Sequence, residues 1–290
     1  MSPRPPVIII GMHRAGTSML TRTMQGFGFF MGRGTTRNEE CRWTNAINEW
    51  LFRQASATWE RPLGFDALLT DATVRRAVTD YVAGITRGPA SIGYLGLKRW
   101  LRHRSMHHLA ESWGWKDPRN SFTLPIWLDV FPDARVLHIL RHGVDVAQSL
   151  RVRREQAVSA SIGRFQAARA RYLNNPFAPK RSGFAHSPRV GELQGGLDLW
   201  SEYTGRASEH VRALGPERAL ELRYETLLES PEAHLRRVLD FCGLDVSDDA
   251  LAEEAARYRP DRAYAYRGDS GLRDFAAGVA PALEAHGYGP

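Results

Sequence analysis

Gly11-Met12-His13-Arg14-Ala15-Gly16-Thr17-Ser18 has the residue types and spacing of a phosphate cradle. Glycines at 11 and 16 let the backbone turn tightly and aim its N–H groups inward. A helix starting behind them adds positive potential, and the Thr17 and Ser18 hydroxyls can donate. The pattern G-x-x-x-x-G-x-[ST] follows directly on the apolar run Val7 to Ile10, the context a phosphate loop needs. Thr17 stands where a nucleoside-triphosphate loop carries its lysine. Without that lysine triphosphate chemistry loses its main electrophile; Arg14 supplies a cation earlier in the loop.

A second anion site is written further along. Arg141 ends the apolar run Arg135 to Leu140, Ser149 lies roughly two helical turns on, and Arg153 follows one turn later on the same face. Arginine at the carboxyl end of a strand, with serine and arginine on the next helix, suits a second phosphate. A third group is Trp115-Lys116-Asp117-Pro118-Arg119. Lys116 is one of only three lysines in a chain with 39 basic residues, so a compact ammonium here stands out against an arginine background.

Together these motifs resemble the PAPS-dependent sulfotransferases (PAPS is 3′-phosphoadenylyl sulfate), especially the bacterial and tyrosylprotein types. HRAGTS is similar to their 5′-phosphosulfate loop, Arg141 with Ser149 and Arg153 to their 3′-phosphate motif, and Lys-Asp-Pro to a segment whose lysine meets the transferring sulfuryl group. Arg223-Tyr224-Glu225 resembles a late segment in which tyrosine contacts adenine. The resemblance runs discontinuously from Val7 to about Leu244, with four motifs in the family's order. It implies PAPS as donor, held by Arg14, Ala15, Gly16, Thr17, Ser18, Arg141, Ser149, Arg153 and Tyr224, with Arg14 and Lys116 also catalytic. It implies in-line transfer to an acceptor hydroxyl, giving adenosine 3′,5′-bisphosphate (PAP) and a sulfate ester. No metal is expected, since cations and amides can neutralise the charge.

The acceptor hydroxyl needs a base, and relatives use histidine or glutamate. Glu39 and Glu40 stand after the first helix, about where relatives with an early glutamate place it. With a helix over 38–55 burying Trp43, Ile47 and Trp50 along one face, Glu40 lies on the buried side and Glu39 points further round. Glu40 is the preferred base and Glu39 stays open. His13 is expected to pack or hydrogen-bond beside the phosphate, and His142 to serve local structure. His103, His107 and His108 lack a nearby cysteine or carboxylate to complete a metal site and read as a polar helix face.

These residues must be positioned by alternating strands and helices. Val7–Ile10, Trp113–Lys116, Arg135–Leu140 and Ala219–Arg223 read as strands; helices are expected at 17–26, 71–85, from about 144, after Tyr224 and from Pro231 to Phe241. That alternation predicts an α/β fold: a P-loop-like three-layer sandwich with a mostly parallel central sheet and helices on both faces. A single domain over 1–290 is expected, with a lid or acceptor segment around 151–197, whose middle, NNPFAPKRSGFAHSP, reads as a long surface loop.

Composition sets outer limits. With 43% apolar residues the chain has ample core material and does not fit the disordered class. A net charge of +7 and a pI near 9.7 suit an anionic ligand. Two distant cysteines, Cys41 and Cys242, and no stretch fit for a signal core or a spanning helix point to a cytoplasmic protein. The acceptor is open among small molecules, glycans and other hydroxyl compounds, as is the oligomeric state. Two other readings share the basic charge and the loop: a P-loop small-molecule kinase, and a non-catalytic nucleotide- or nucleic-acid-binding protein. The missing loop lysine speaks against the first. No aromatic-basic RNA motif supports a nucleic-acid partner.

Overall fold

The computed structural model describes residues 2–177, 180, 184 and 187–290. In chain order they form β1 (Val7–Ile10), α1 (Thr17–Gly26), α2 (Arg42–Gln54), α3 (Phe65–Thr70), α4 (Ala72–Arg87), α5 (Ile92–His103), β2 (Gly114–Lys116), α6 (Asn120–Val130), β3 (Arg135–Leu140) and α7 (Gly143–Ala167). Then come α8 (Arg169–Leu173), α9 (Leu193–Leu214), β4 (Ala219–Arg223), α10 (Tyr224–Glu229), α11 (Pro231–Cys242), α12 (Asp248–Ala255), α13 (Ser270–Gly278) and α14 (Ala280–Glu284). The chain divides into two compact units, Met1–His142 with Glu202–Ala265, and Gly143–Ser201 with Tyr266–Pro290.

The first unit holds one sheet of order β2-β1-β3-β4, every pair parallel. The expected α/β sandwich is what forms. Val7, Ile9, Leu137, Ile139 and Leu222 pack with Leu20 and Met24 of α1 and with apolar residues of α10, α11 and α12. The alternate residues Ile8, Ile10 and Val136 are equally buried, so the sheet's centre is covered on both faces, which is why β1 and most of β3 read as apolar runs. The chain leaves β1 for β2 on one side and returns to β3 on the other. β1 is thus the point where strand order reverses, the place at which ligands bind in open parallel sheets. Ile9 pairs with Lys116 and with Leu137, placing β2's last residue and the start of the loop after β1 on one edge.

Two expectations are corrected. α2 begins at Arg42 with Cys41 as its N-cap, so Glu39 and Glu40 precede the helix. Its buried face is Thr44, Ile47, Asn48, Leu51 and Phe52, with Trp43 and Trp50 only half-buried. Polar side chains hold that face inward, and a hydrophobic stripe does not register them. The helix expected from about 144 runs as α7 through Ala167, well into the segment 151–197. Residues 178–179, 181–183 and 185–186 of the expected loop lie outside the described residues.

Asn48 shows why α2 faces as it does. Its Nδ2 donates to Asp117 Oδ2 at 3.0 Å and to Asn120 Oδ1 at 2.7 Å. Its Oδ1 accepts from Thr123 Oγ1 at 2.9 Å and Trp127 Nε1 at 2.8 Å. The amide's full hydrogen-bond capacity is used in a site with no solvent exposure. Asn120 in turn donates to the Ile9 carbonyl at 3.2 Å, linking α2 through α6 to β1. Asn48→Ala strands buried partners on both sides. We expect it to lose about 2–4 kcal/mol in urea unfolding followed by tryptophan fluorescence; a loss under about 0.5 kcal/mol would refute this account of α2.

Candidate active site

The loop after β1 turns through Gly11 (φ 128°), Arg14 (φ 71°) and Gly16 (φ 97°). A side chain at 16 would set its Cβ 2.4 Å from the Tyr224 ring, and one at 11 would meet the Ile139 carbonyl at 2.5 Å. Both glycines therefore serve close approach as well as backbone freedom. Gly11 N–H donates to Ser121 Oγ at 3.2 Å. Arg141, just past β3, lies over the Tyr224 ring at 4.6 Å and reaches the Arg14 carbonyl at 3.4 Å. The carboxyl ends of β3 and β4 thus brace the loop. Burial, with the neighbouring Arg141, lowers the proton affinity of the Arg14 guanidinium. Among the described residues no side chain caps the N-terminus of α1, leaving it suited to an anion.

Lys116 ends β2 almost without exposure. Its Nζ donates to the Asn38 carbonyl at 2.6 Å, to Glu40 Oε1 at 3.2 Å and to Ser18 Oγ at 3.4 Å. Ser18 Oγ also donates to the Asn38 carbonyl, at 2.7 Å. One ammonium thus gathers the phosphate loop's serine, the 36–40 turn and a buried carboxylate. The turn is held by Thr36, whose N–H donates to the Glu40 carbonyl at 2.8 Å and whose Oγ1 accepts from Asn38 N–H and Glu40 N–H. Glu39, at φ 60°, is turned to Arg22 at 3.6 Å on a more exposed surface. Burial raises the proton affinity of Glu40, opposed by Lys116; burial lowers that of Lys116, opposed by Glu40 and Asp117.

Beneath this pair lies a buried ionic layer that motif reading passed over. Asp117 accepts from Arg119 N–H at 2.9 Å, Arg119 Nε at 3.2 Å, Arg119 Nη2 at 3.1 Å and Asn48. Arg119 also pairs with Glu49 and donates to the Asn45 carbonyl at 3.3 Å. Asn45 and Asn48, one turn apart on α2, were the available signal, since two amides on one helix face imply polar partners.

The remaining residues are dispersed. Arg14, Ala15, Gly16, Thr17, Ser18, Glu40, Lys116, Arg141 and Tyr224 all fall in the first unit, whereas Ser149 and Arg153 lie on α7 in the second. His13 packs edge-on against Trp59 at 5.0 Å. His142 N–H donates to the buried carboxylate of Glu225 at 2.8 Å. His103 and His108 bond each other's carbonyls, and His107 stacks on Phe131 at 4.4 Å. Among the described residues no three His, Cys, Asp or Glu side chains are grouped to hold a metal ion.

The sequence profile of the sulfotransferase family matches residues 5–248. Similar solved structures include the sulfotransferase domain from the curacin biosynthetic pathway, at 17% identity over 90% of this chain and 81% of that one, with a TM-score of 0.47. A sulfotransferase from Alicyclobacillus acidocaldarius is also 17% identical, over 97% of this chain and 95% of its own, with a TM-score of 0.47. The sulfotransferase domain of the Synechococcus PCC 7002 olefin synthase is 19% identical, over 91% and 80%, with a TM-score of 0.45. No curated protein matches the chain.

A buried pair of this kind is costly to form and worse to break. Lys116→Met and Glu40→Leu are each expected to lose on the order of 3 kcal/mol, whereas the double variant matches or exceeds the parent. Because burial raises Glu40, its favourable contribution exists below the ordinary carboxylate range and is lost as pH rises through the raised value. Glu40→Leu should remove that decline. Additive losses in the double variant, read by urea unfolding, would show that the two groups are not coupled.

Proposed function

The chain belongs to the sulfotransferase family, and from that premise we propose that it transfers a sulfuryl group from PAPS to an acceptor hydroxyl, with Glu40 as base. The observation that carries this reading is the convergence at Lys116: its ammonium reaches Ser18 of the phosphate loop and Glu40 at once. The loop's glycines, the uncapped start of α1 and the cation of Arg14 fit a 5′-phosphosulfate. Arg141, beside the Tyr224 ring, fits a further phosphate near an adenine-stacking surface.

PAPS would supply an activated sulfuryl group on a phosphate oxygen. The chain's own residues then orient, neutralise and move a proton. The loop N–H groups and Arg14 hold the 5′ end. Lys116 is placed for charge that develops as the sulfur–oxygen bond to phosphate breaks, where a fixed cation contributes most. Glu40, across Lys116 from Ser18, takes the proton of the acceptor hydroxyl as its oxygen bonds to sulfur. The raised proton affinity of Glu40 brings it nearer to a useful base at neutral pH. Glu39, turned to Arg22, is the less suited carboxylate.

The acceptor is a hydroxyl compound, to be identified by presenting labelled PAPS with sugars, phenols, lipids and peptides. Among the described residues no helix is long and apolar enough to cross a membrane. The two free, buried cysteines suit a reducing compartment, and we assign the protein to the cytoplasm on that ground.

PAP is expected to raise the melting temperature with saturating concentration dependence, and ATP much less. Arg141→Ala should weaken PAP binding, and Lys116→Ala should mainly lower turnover. Glu40→Gln should leave PAP affinity nearly intact and cut transfer by ~10²-fold or more. Equal stabilisation by ATP and PAP would reject the donor assignment, and near-normal transfer by Glu40→Gln would reject the base.

A further inference from the structure

Given Glu40 as the base proposed above, the structure raises the question of what keeps it charged. Asn45, in the first turn of α2, stands between two buried carboxylates. Its Nδ2 donates to Glu40 Oε2 at 3.2 Å and to Asp117 Oδ2 at 3.5 Å. An amide nitrogen carries two hydrogens, one for each neighbour. Thr36 Oγ1 donates to the same Glu40 oxygen at 3.4 Å, so Oε2 is held from two sides while Oε1 faces Lys116.

We propose that Asn45 is a positioning residue for sulfuryl transfer: its amide occupies Glu40 Oε2 and separates it from Asp117, leaving Oε1 beside Lys116 to receive the acceptor's proton. The need follows from the surroundings. Lys116, Asp117 and Arg119 face Glu40, while Glu39 is turned to Arg22. The two cations favour the carboxylate; Asp117 and burial oppose it. Two carboxylates with no donor between them repel until one binds a proton. Asp117 already accepts three hydrogen bonds from Arg119 and one from Asn48, so the proton would go to Glu40. A protonated Glu40 cannot act as the base.

The test needs no acceptor. In the full chain labelled with ¹³C at glutamate Cδ, the Glu40 signal is assigned by its absence in Glu40→Gln and then followed against pH. Asn45→Ala is expected to move the midpoint up by about one pH unit, and Asn45→Asp further. PAP affinity by calorimetry should stay within about twofold, since Asn45 touches no proposed phosphate ligand; retained PAP binding also reports a folded variant. If Asn45→Ala does not fold, Asn45→Ser, too short to span both carboxylates, carries the same expectation. An unmoved midpoint in a PAP-binding variant overturns the proposal. Failure of the base assignment is a separate outcome, since it shows as near-normal transfer by Glu40→Gln whatever the Glu40 midpoint.

Discussion

The site depends on burying one ammonium. Lys116 ends a three-residue strand in a position with almost no exposure, where an unpaired cation would be prohibitive. Three oxygens surround it, from the phosphate loop's serine, the Asn38 carbonyl and Glu40. Two come from the 36–40 turn and one from the phosphate loop, so satisfying the ammonium joins that turn to the loop at the end of β2. The 36–40 turn has little apolar content to hold it, and it is placed by polar contacts to Lys116, Ser18 and Thr36.

The sheet makes that assembly possible. Parallel pairing brings the carboxyl ends of all four strands to one edge, and β1 lies between β2 and β3. The residue after each strand therefore enters a shared neighbourhood: the glycine loop after β1, Asp117 after β2, Arg141 after β3 and Tyr224 after β4. This edge is chemically dense because the fold supplies four strand ends there, and the apolar strand bodies demand nothing more than burial.

What could be read from the sequence follows the same division. Strands buried on both faces read as largely apolar runs, so β1 and β3 were evident, and the glycine loop was evident from its place between a strand and a helix. Glu40 was expected on a helical face; it is buried instead by a turn ahead of α2, and the left-handed backbone at Glu39 parts the two carboxylates. Asn45 and Asn48 carry no motif, and the Lys-Asp-Pro motif gave Asp117 no role. Their importance arises from partners far along the chain, a relation that periodicity cannot express. Ser149 and Arg153 were legible as a helical continuation of Arg141 but fall in the other compact unit, a boundary that a linear pattern does not show.

The contact between Gly16 and Tyr224 has a consequence for how such a chain can diverge. The ring leaves no volume for a Cβ at position 16, and the backbone there is left-handed. A descendant that shrank residue 224 would open the space yet still face the strained backbone, while one that added a side chain at 16 would have to change both. Glycine at 16 is thus guarded by two independent barriers, whereas a smaller residue at 224 would relieve the contact only by giving up the ring that Arg141 covers. Drift at this edge should run one way, with losses of ring volume at 224 preceding any change at 16.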